Sequence, residues 1–176
     1  DNQLTFKVID KDLGSKYKVK NISVSTGGQA ETILKGFKPK VSKEHKVIYY
    51  TQSAKKCFEL ACLWGSSADF LISDYNETEI DGKKLVDIMA ERGTKQYILE
   101  NEELPVETEI IFINSACREG FNIKDTAVKT IICDAVNMIT IEQVLGRIRG
   151  DLENFMVVSN FNYLERNKTK IREFVE

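Results

Sequence analysis

From Lys46 onward the chain alternates short apolar runs with segments of helical periodicity, and that alternation leaves few folds open. The runs Lys46–Thr51, Asp69–Ser73, Ile110–Asn114, Val128–Cys133 and Asn154–Ser159 are rich in Ile, Val, Phe and Tyr. Runs of this kind, apolar without a break, are how strands buried on both faces read. Ala54–Trp64 and Lys83–Arg92 have helical spacing, the second stopped by Gly93, and Tyr97–Leu99 reads as an added edge segment. Asn162–Val175 closes the chain as an amphipathic helix through Leu164, Ile171 and Phe174. Strand and helix alternating at these lengths imply β-α-β units, hence a mostly parallel sheet between helix layers.

The first 45 positions read differently. Leu4–Ile9 and Tyr17–Ser25 are expected strands joined at Asp12-Leu13-Gly14-Ser15, and Gly28–Phe37 a short helix. Lys7, Lys11, Lys16, Lys18 and Lys20 give that hairpin a charged edge that discourages pairing between sheets. A length of 176 residues and 42% hydrophobic content suit one well-packed domain. The expected organisation is therefore a single domain over 1–176, with 1–27 as an N-terminal hairpin extension.

Composition narrows the chemistry. Lys plus Arg number 25 against 27 Asp plus Glu, so no global basic field advertises a polyanionic partner. No apolar run approaches the length of a membrane span and no secretory signal is visible. The Asn-x-Ser/Thr triplets at Asn21, Asn76 and Asn167 then read as chance, and the chain as cytoplasmic. An Asp at position 1 suggests a fragment or a processed chain. Cys57, Cys62, Cys117 and Cys133 lack the paired spacing of a zinc site and are expected to be reduced and buried. His45, the lone histidine, rules out Cys/His nucleophilic schemes and is expected to be solvated; no metal site is expected in this chain.

Two segments carry chemistry. In Thr140-Ile141-Glu142-Gln143-Val144-Leu145-Gly146-Arg147-Ile148-Arg149, Thr140 and Gln143 form a capping-box pattern that opens a short helix between two strands. Rigidly held guanidinium groups at the edge of an α/β sheet suit the neutralising of phosphate charge. Gln143 and Arg147, four apart, share a face if the helix is continuous. Arg147 and Arg149 would then point about 200° apart, so both could address one phosphate only if the helix ends near Gly150. Upstream, the strand ending at Asn114 opens into Ser115-Ala116-Cys117-Arg118-Glu119-Gly120-Phe121-Asn122. Such a loop lies at the carboxyl end of a parallel strand, where ligands bind in open α/β sheets.

Ser115, Gly120 and Asn122, followed by Gln143, Gly146 and Arg147, resemble motifs V and VI of superfamily 2 helicases and translocases. Lys46-Val47-Ile48-Tyr49-Tyr50-Thr51-Gln52-Ser53 resembles motif IV, so the likeness runs over roughly residues 46–160. Two positions depart from the pattern: Asn122 stands where the family usually has Asp, and Arg149 falls one residue early, Gly150 occupying the position of the second family arginine. The resemblance implies the C-terminal RecA-like lobe of a DEAD/DEAH-type enzyme, a three-layer α/β sandwich with the hairpin appended. It implies that Gln143, Arg147 and Arg149 act on the γ-phosphate of ATP, with Gly120, Asn122 and Gly146 against the nucleotide. It also implies that Thr51, Gln52, Ser53 and Ser115 contact a nucleic-acid backbone, DNA more than RNA.

No Gly-x-x-x-x-Gly-Lys-Ser/Thr loop and no acidic magnesium box occur in the 176 residues. ATP and Mg2+ would then sit mainly on a first RecA-like lobe of the same parent, and this lobe alone would be inactive. The rival reading is a non-catalytic α/β binding module that kept the fold without the chemistry. A Rossmann-like nucleotide binder is disfavoured, since no Gly-x-Gly-x-x-Gly follows any expected strand.

Overall fold

The computed structural model describes residues 3–6, 19–26, 29–114, 122–134 and 143–159. In chain order the strands are β1 (Gln3–Phe6), β2 (Val19–Thr26), β3 (Lys46–Thr51), β4 (Ala68–Leu71), β5 (Glu79–Ile80), β6 (Lys83–Lys84), β7 (Ile110–Ile113), β8 (Val128–Asp134) and β9 (Leu152–Ser159). Seven of them make the main sheet, in the order β1-β2-β9-β8-β3-β7-β4. Every pairing in it is parallel except β1 with β2 at one edge. The expected class, α/β layers about a mostly parallel sheet, is what the chain adopts. β2 pairs along its whole length with β9, so the N-terminal strands continue the main sheet.

Strand residues alternate between faces, and the side chains show which helices cover which. Phe70 of β4 meets Phe58 edge-on, ring centroids 5.4 Å apart, from α2 (Ala54–Trp64). Its neighbour Asp69 faces the other way and accepts from Arg92 and Thr94, where α3 (Leu85–Arg92) gives way to α4 (Thr94–Asn101). α1 (Ala30–Phe37) and a 3-10 turn at Lys38–Lys40 lie beside α2, with Lys38 Nζ 5.4 Å from the Trp64 ring centroid. The central strands have no solvent face: Val47, Ile48, Tyr49, Phe70, Ile110, Ile111, Phe112, Ile131 and Ile132 are wholly buried.

Several local expectations are corrected. Tyr97–Leu99 is helical, within α4, because Gly93 at φ 72° ends α3 and lets a second helix start at once, burying Ile98. Lys83–Lys84 pairs with Glu79–Ile80 as a two-stranded ribbon, β5 with β6, before α3 begins at Leu85. Asp81 and Gly82, both at positive φ, make its turn. Cys57 and Cys133 are buried as expected, but Cys62 is exposed. His45 is half-buried rather than solvated: its Nε2 is 3.0 Å from Thr130 Oγ1, to which Asn154 Nδ2 also donates at 3.3 Å. The turn at 12–15, Cys117, Thr140 and the helix expected over 162–175 lie outside the described residues.

Candidate functional site

The site residues nominated from sequence fall into two groups, at opposite ends of the strands. The first is at the carboxyl ends. Thr51 closes β3 in register with Asp134, the last residue of β8. Thr51 is only 3% exposed, so its hydroxyl is not offered to a partner. Gln52 and Ser53 are exposed. Ser53 is the N-cap of α2, its Oγ accepting from the Lys56 N–H at 3.2 Å, and Lys56 Nζ in turn pairs with Asp134 at 3.0 Å. Further back along β3, the Tyr49 hydroxyl is buried with no hydrogen-bond partner among the described residues. Burial, with Asp134 and Glu31 nearby, holds that phenol above the ordinary tyrosine range. Ser115 and Gly120 lie outside the described residues.

The second group is brought together by a backbone device. Ile123 and Ile148 form an isolated parallel bridge. The Ile123 N–H donates to the Arg147 carbonyl and the Arg149 N–H to the Ile123 carbonyl, both at 2.8 Å. The bridge lies just before the β8–β9 ladder, on which Thr130 faces Asn154 and Ile131 faces Phe155. A turn at 126–127, closed by the Val128 N–H to the Asp125 carbonyl at 3.1 Å, separates it from the start of β8. The bridge places Asn122 beside the arginines: Arg149 Nε donates to Asn122 Oδ1 at 3.4 Å, a long and weak bond by itself.

Helical winding is described only over Gln143–Leu145, after which the chain tightens into i→i+3 bonds, Arg147 N–H to Val144 O and Ile148 N–H to Leu145 O, both 3.2 Å. Val144 and Ile148, four apart, are buried, while Gln143 is exposed and Arg147 half-buried. Arg147 and Arg149 flank Ile148, which is 5% exposed and paired with Ile123. Arg147 is half-buried, and Gln143, Gly146 and Arg149 are exposed. Lastly, Asn122 and Arg147 do not join Thr51 at the carboxyl edge. Asp125, three residues past Asn122, meets Lys46 at the start of β3, and Leu152 opens β9 three residues past Arg149. The pair therefore lies toward the amino ends.

A buried polar anchor underlies this group, and it was not among the residues nominated from sequence. Lys46, 5% exposed, pairs with Asp125 at 3.0 Å and donates to the carbonyls of Leu104 and Pro105. Asp125 also accepts from the N–H groups of Leu104 and Ala127. Lys124 pairs with Glu102 through both backbone and side chain. These contacts fix 122–127 onto the sheet and so fix where Asn122 stands. A lysine opening an otherwise apolar run was the available signal, since a buried charge requires a partner.

Charge is unevenly spread along the chain. Between Ser66 and Glu109, which build β4, α3 and α4, twelve carboxylates stand against four cations; from Asp1 to Gly65 the balance is reversed, twelve cations against six carboxylates. Among the described residues neither Arg147 nor Arg149 has an ion-pair partner, and no three metal-binding side chains gather. No described helix is long and apolar enough to cross a membrane.

No family model matches the chain, and no curated protein sequence does. Among solved structures it is similar to the C-terminal part of the Fun30 ATPase domain, at 16% identity and a TM-score of 0.47, over 80% of this chain and 42% of that one. The chain spans less than half of that structure's length.

Proposed function

We propose that this chain is the second motor lobe of an ATP-dependent nucleic-acid helicase or translocase. In this reading Arg147, with Arg149 beside it, meets the γ-phosphate of ATP held, with Mg2+, mainly by a first RecA-like lobe. One observation carries it: the Ile123–Ile148 bridge holds Arg147 and Arg149 on either side of Ile148, Arg149 against Asn122, and neither arginine has a carboxylate partner among the described residues. A structural arginine is normally tied to an acid or a carbonyl, whereas these guanidinium groups are held by their backbone and left chemically open. Charge placed this way suits the spread negative charge of a phosphoryl group in transit, and such a residue is worth about 10^3–10^5 in rate. Gly120, Asn122 and Gly146 would line the nucleotide, and Gln143 would act beside Arg147. Gln52, Ser53 and Ser115 would contact nucleic-acid phosphates without reading bases, and Thr51 drops out because it is buried.

The test is Arg147→Ala in the full-length parent. Nucleic-acid-stimulated ATP turnover should collapse while ATP affinity stays comparatively intact, since the lost interaction belongs to the transition state. The 176-residue chain alone should not turn over ATP. Near-normal turnover by Arg147→Ala would favour the second reading, a non-catalytic α/β binding module. The burial of Thr51 and the neutral Asn122 are the observations on its side.

A further inference from the structure

The two positions at which this chain departs from the motif pattern touch each other. Asn122 offers a neutral amide where a carboxylate would serve as acceptor, Arg149 sits one residue early, and Arg149 Nε donates to Asn122 Oδ1. We infer that Asn122 and Arg149 form one coupled device, in which a neutral amide orients the guanidinium while leaving its charge free for a phosphate-bearing ligand. The inference rests on the phosphate-facing reading of the site.

The argument is electrostatic. An amide oxygen and a carboxylate oxygen have the same shape and reach, so either could accept from Arg149. They differ in what they do to the rest of the guanidinium. A carboxylate would form a charge-assisted, often bidentate pair with the guanidinium, occupying its other N–H groups and cancelling its field. An amide accepts one weak hydrogen bond and leaves the remaining donors and the whole positive charge exposed. The backbone makes the pairing unavoidable. The Ile123–Ile148 bridge holds residues 122 and 149 beside each other whatever their side chains, and Lys46–Asp125 holds 122–127 from below. With Arg149 here, an acid at 122 would be a self-inhibiting choice. Arg147, across Ile148, would lose attraction for the same ligand to the added negative charge.

The prediction runs against intuition, because introducing the more usual acid should harm the site. Inorganic tripolyphosphate serves as probe, titrated into the 176-residue chain at low salt and followed by the arginine Nε–H resonances in NMR. The wild type should bind with shifts at Arg147 and Arg149. Asn122→Asp should weaken binding about tenfold or more, as expected when a fully paired arginine no longer serves an anion. Asn122→Ala, which removes the bond without adding charge, should weaken it only about twofold. In an Arg149→Gln background Asn122→Asp should cost distinctly less than in the wild type, which is the mark of coupling. Circular dichroism confirms folding of each variant, and Arg149 is exposed, so its replacement leaves the core untouched. Equal cost of Asn122→Asp in both backgrounds would overturn the coupling while leaving the phosphate reading standing. Failure of the wild type to bind tripolyphosphate would overturn the inference, whereas the motor-lobe reading stands or falls on the turnover of Arg147→Ala in the full-length parent.

Discussion

Polar residues at the carboxyl ends of the strands and beside the Ile123–Ile148 bridge are both site candidates from sequence, yet the fold uses them in opposite ways. At the carboxyl ends the nominated groups already have structural work. Thr51 is buried in register with Asp134, and Ser53 caps α2. At the bridge the main chain carries the structural role, and neither arginine has an ion-pair partner among the described residues, Arg149 making only its long bond to Asn122. A polar residue where a strand passes into a helix is needed by the fold itself, so its presence says little about function. A pair of arginines that the fold does not consume has no such explanation. On the proposed motor-lobe reading, the sharpest break of this comparison is a paired experiment in the full-length parent. Arg147→Ala should lower stimulated ATP turnover by about 10^3 or more, whereas Gln52→Ala, at the other end of β3, should lower it by less than about tenfold. Equal losses would erase the distinction between the two ends.

The next effect is on stability and concerns the support beneath the bridge. Asp125→Ala leaves Lys46 buried without its anion and strips acceptors from Leu104 and Ala127. Urea unfolding should show a loss of about 3–5 kcal/mol. The double variant Lys46→Met with Asp125→Leu should recover much of that loss, because the penalty comes from an unpaired charge. If the single variant unfolds at the wild-type midpoint, the anchor does not hold residues 122–127 in place.

How much of this was legible beforehand depends on whether the signal was local. The parallel strands from Lys46 to Ser159 were, because buried strands must be apolar throughout. The convergence of Asn122 with Arg147 was implied by two segments at motif spacing. Their position at the amino ends was not, because it depends on how far each connection runs back along the sheet. The break after Leu145 falls at Gly146, a poor helix residue, and beyond it Ile148 pairs with Ile123 from a distant part of the sequence. Long-range hydrogen bonds of that kind override local propensity. The ribbon at Glu79–Lys84 failed for a different reason, since Asp81-Gly82 is a recognised turn signal that the helical pattern beside it obscured. His45 and Lys46 were opaque for one reason: their partners, Thr130 and Asp125, are remote in sequence.

A smaller effect tests the structural side of the comparison. Ser53→Ala removes the N-cap of α2 and should cost about 1 kcal/mol of stability, seen as a lowered denaturation midpoint with unchanged slope. Ser53→Asp keeps a capping acceptor and should restore it. If Ser53 also contacts a nucleic-acid phosphate, the aspartate should weaken nucleic-acid affinity even as it rescues stability. Recovery of both together would mean that Ser53 only caps.

The smallest effect at neutral pH, and the most informative in sign, belongs to Tyr49. Its hydroxyl is buried and unpartnered among the described residues, so Tyr49→Phe removes a desolvated group that makes no compensating hydrogen bond. The substitution should be neutral or stabilising near pH 7, unlike the usual change in a packed core. The pH dependence gives the second check. The folded-state phenol titrates above its ordinary value of 10.0 because burial disfavours the phenolate. As pH rises past 10 the unfolded chain releases that proton while the folded chain keeps it, so the wild type loses stability in that window by up to about 1.4 kcal/mol per pH unit. Tyr49→Phe lacks that contribution, and its advantage over the wild type should grow from pH 9 to pH 11 in denaturation curves recorded in parallel. A wild type that is clearly the more stable at pH 7 would show that the hydroxyl does bond inside the folded chain. The polar groups of β3 would then be satisfied all the way to its carboxyl end, and their contrast with the open arginines at the bridge would widen.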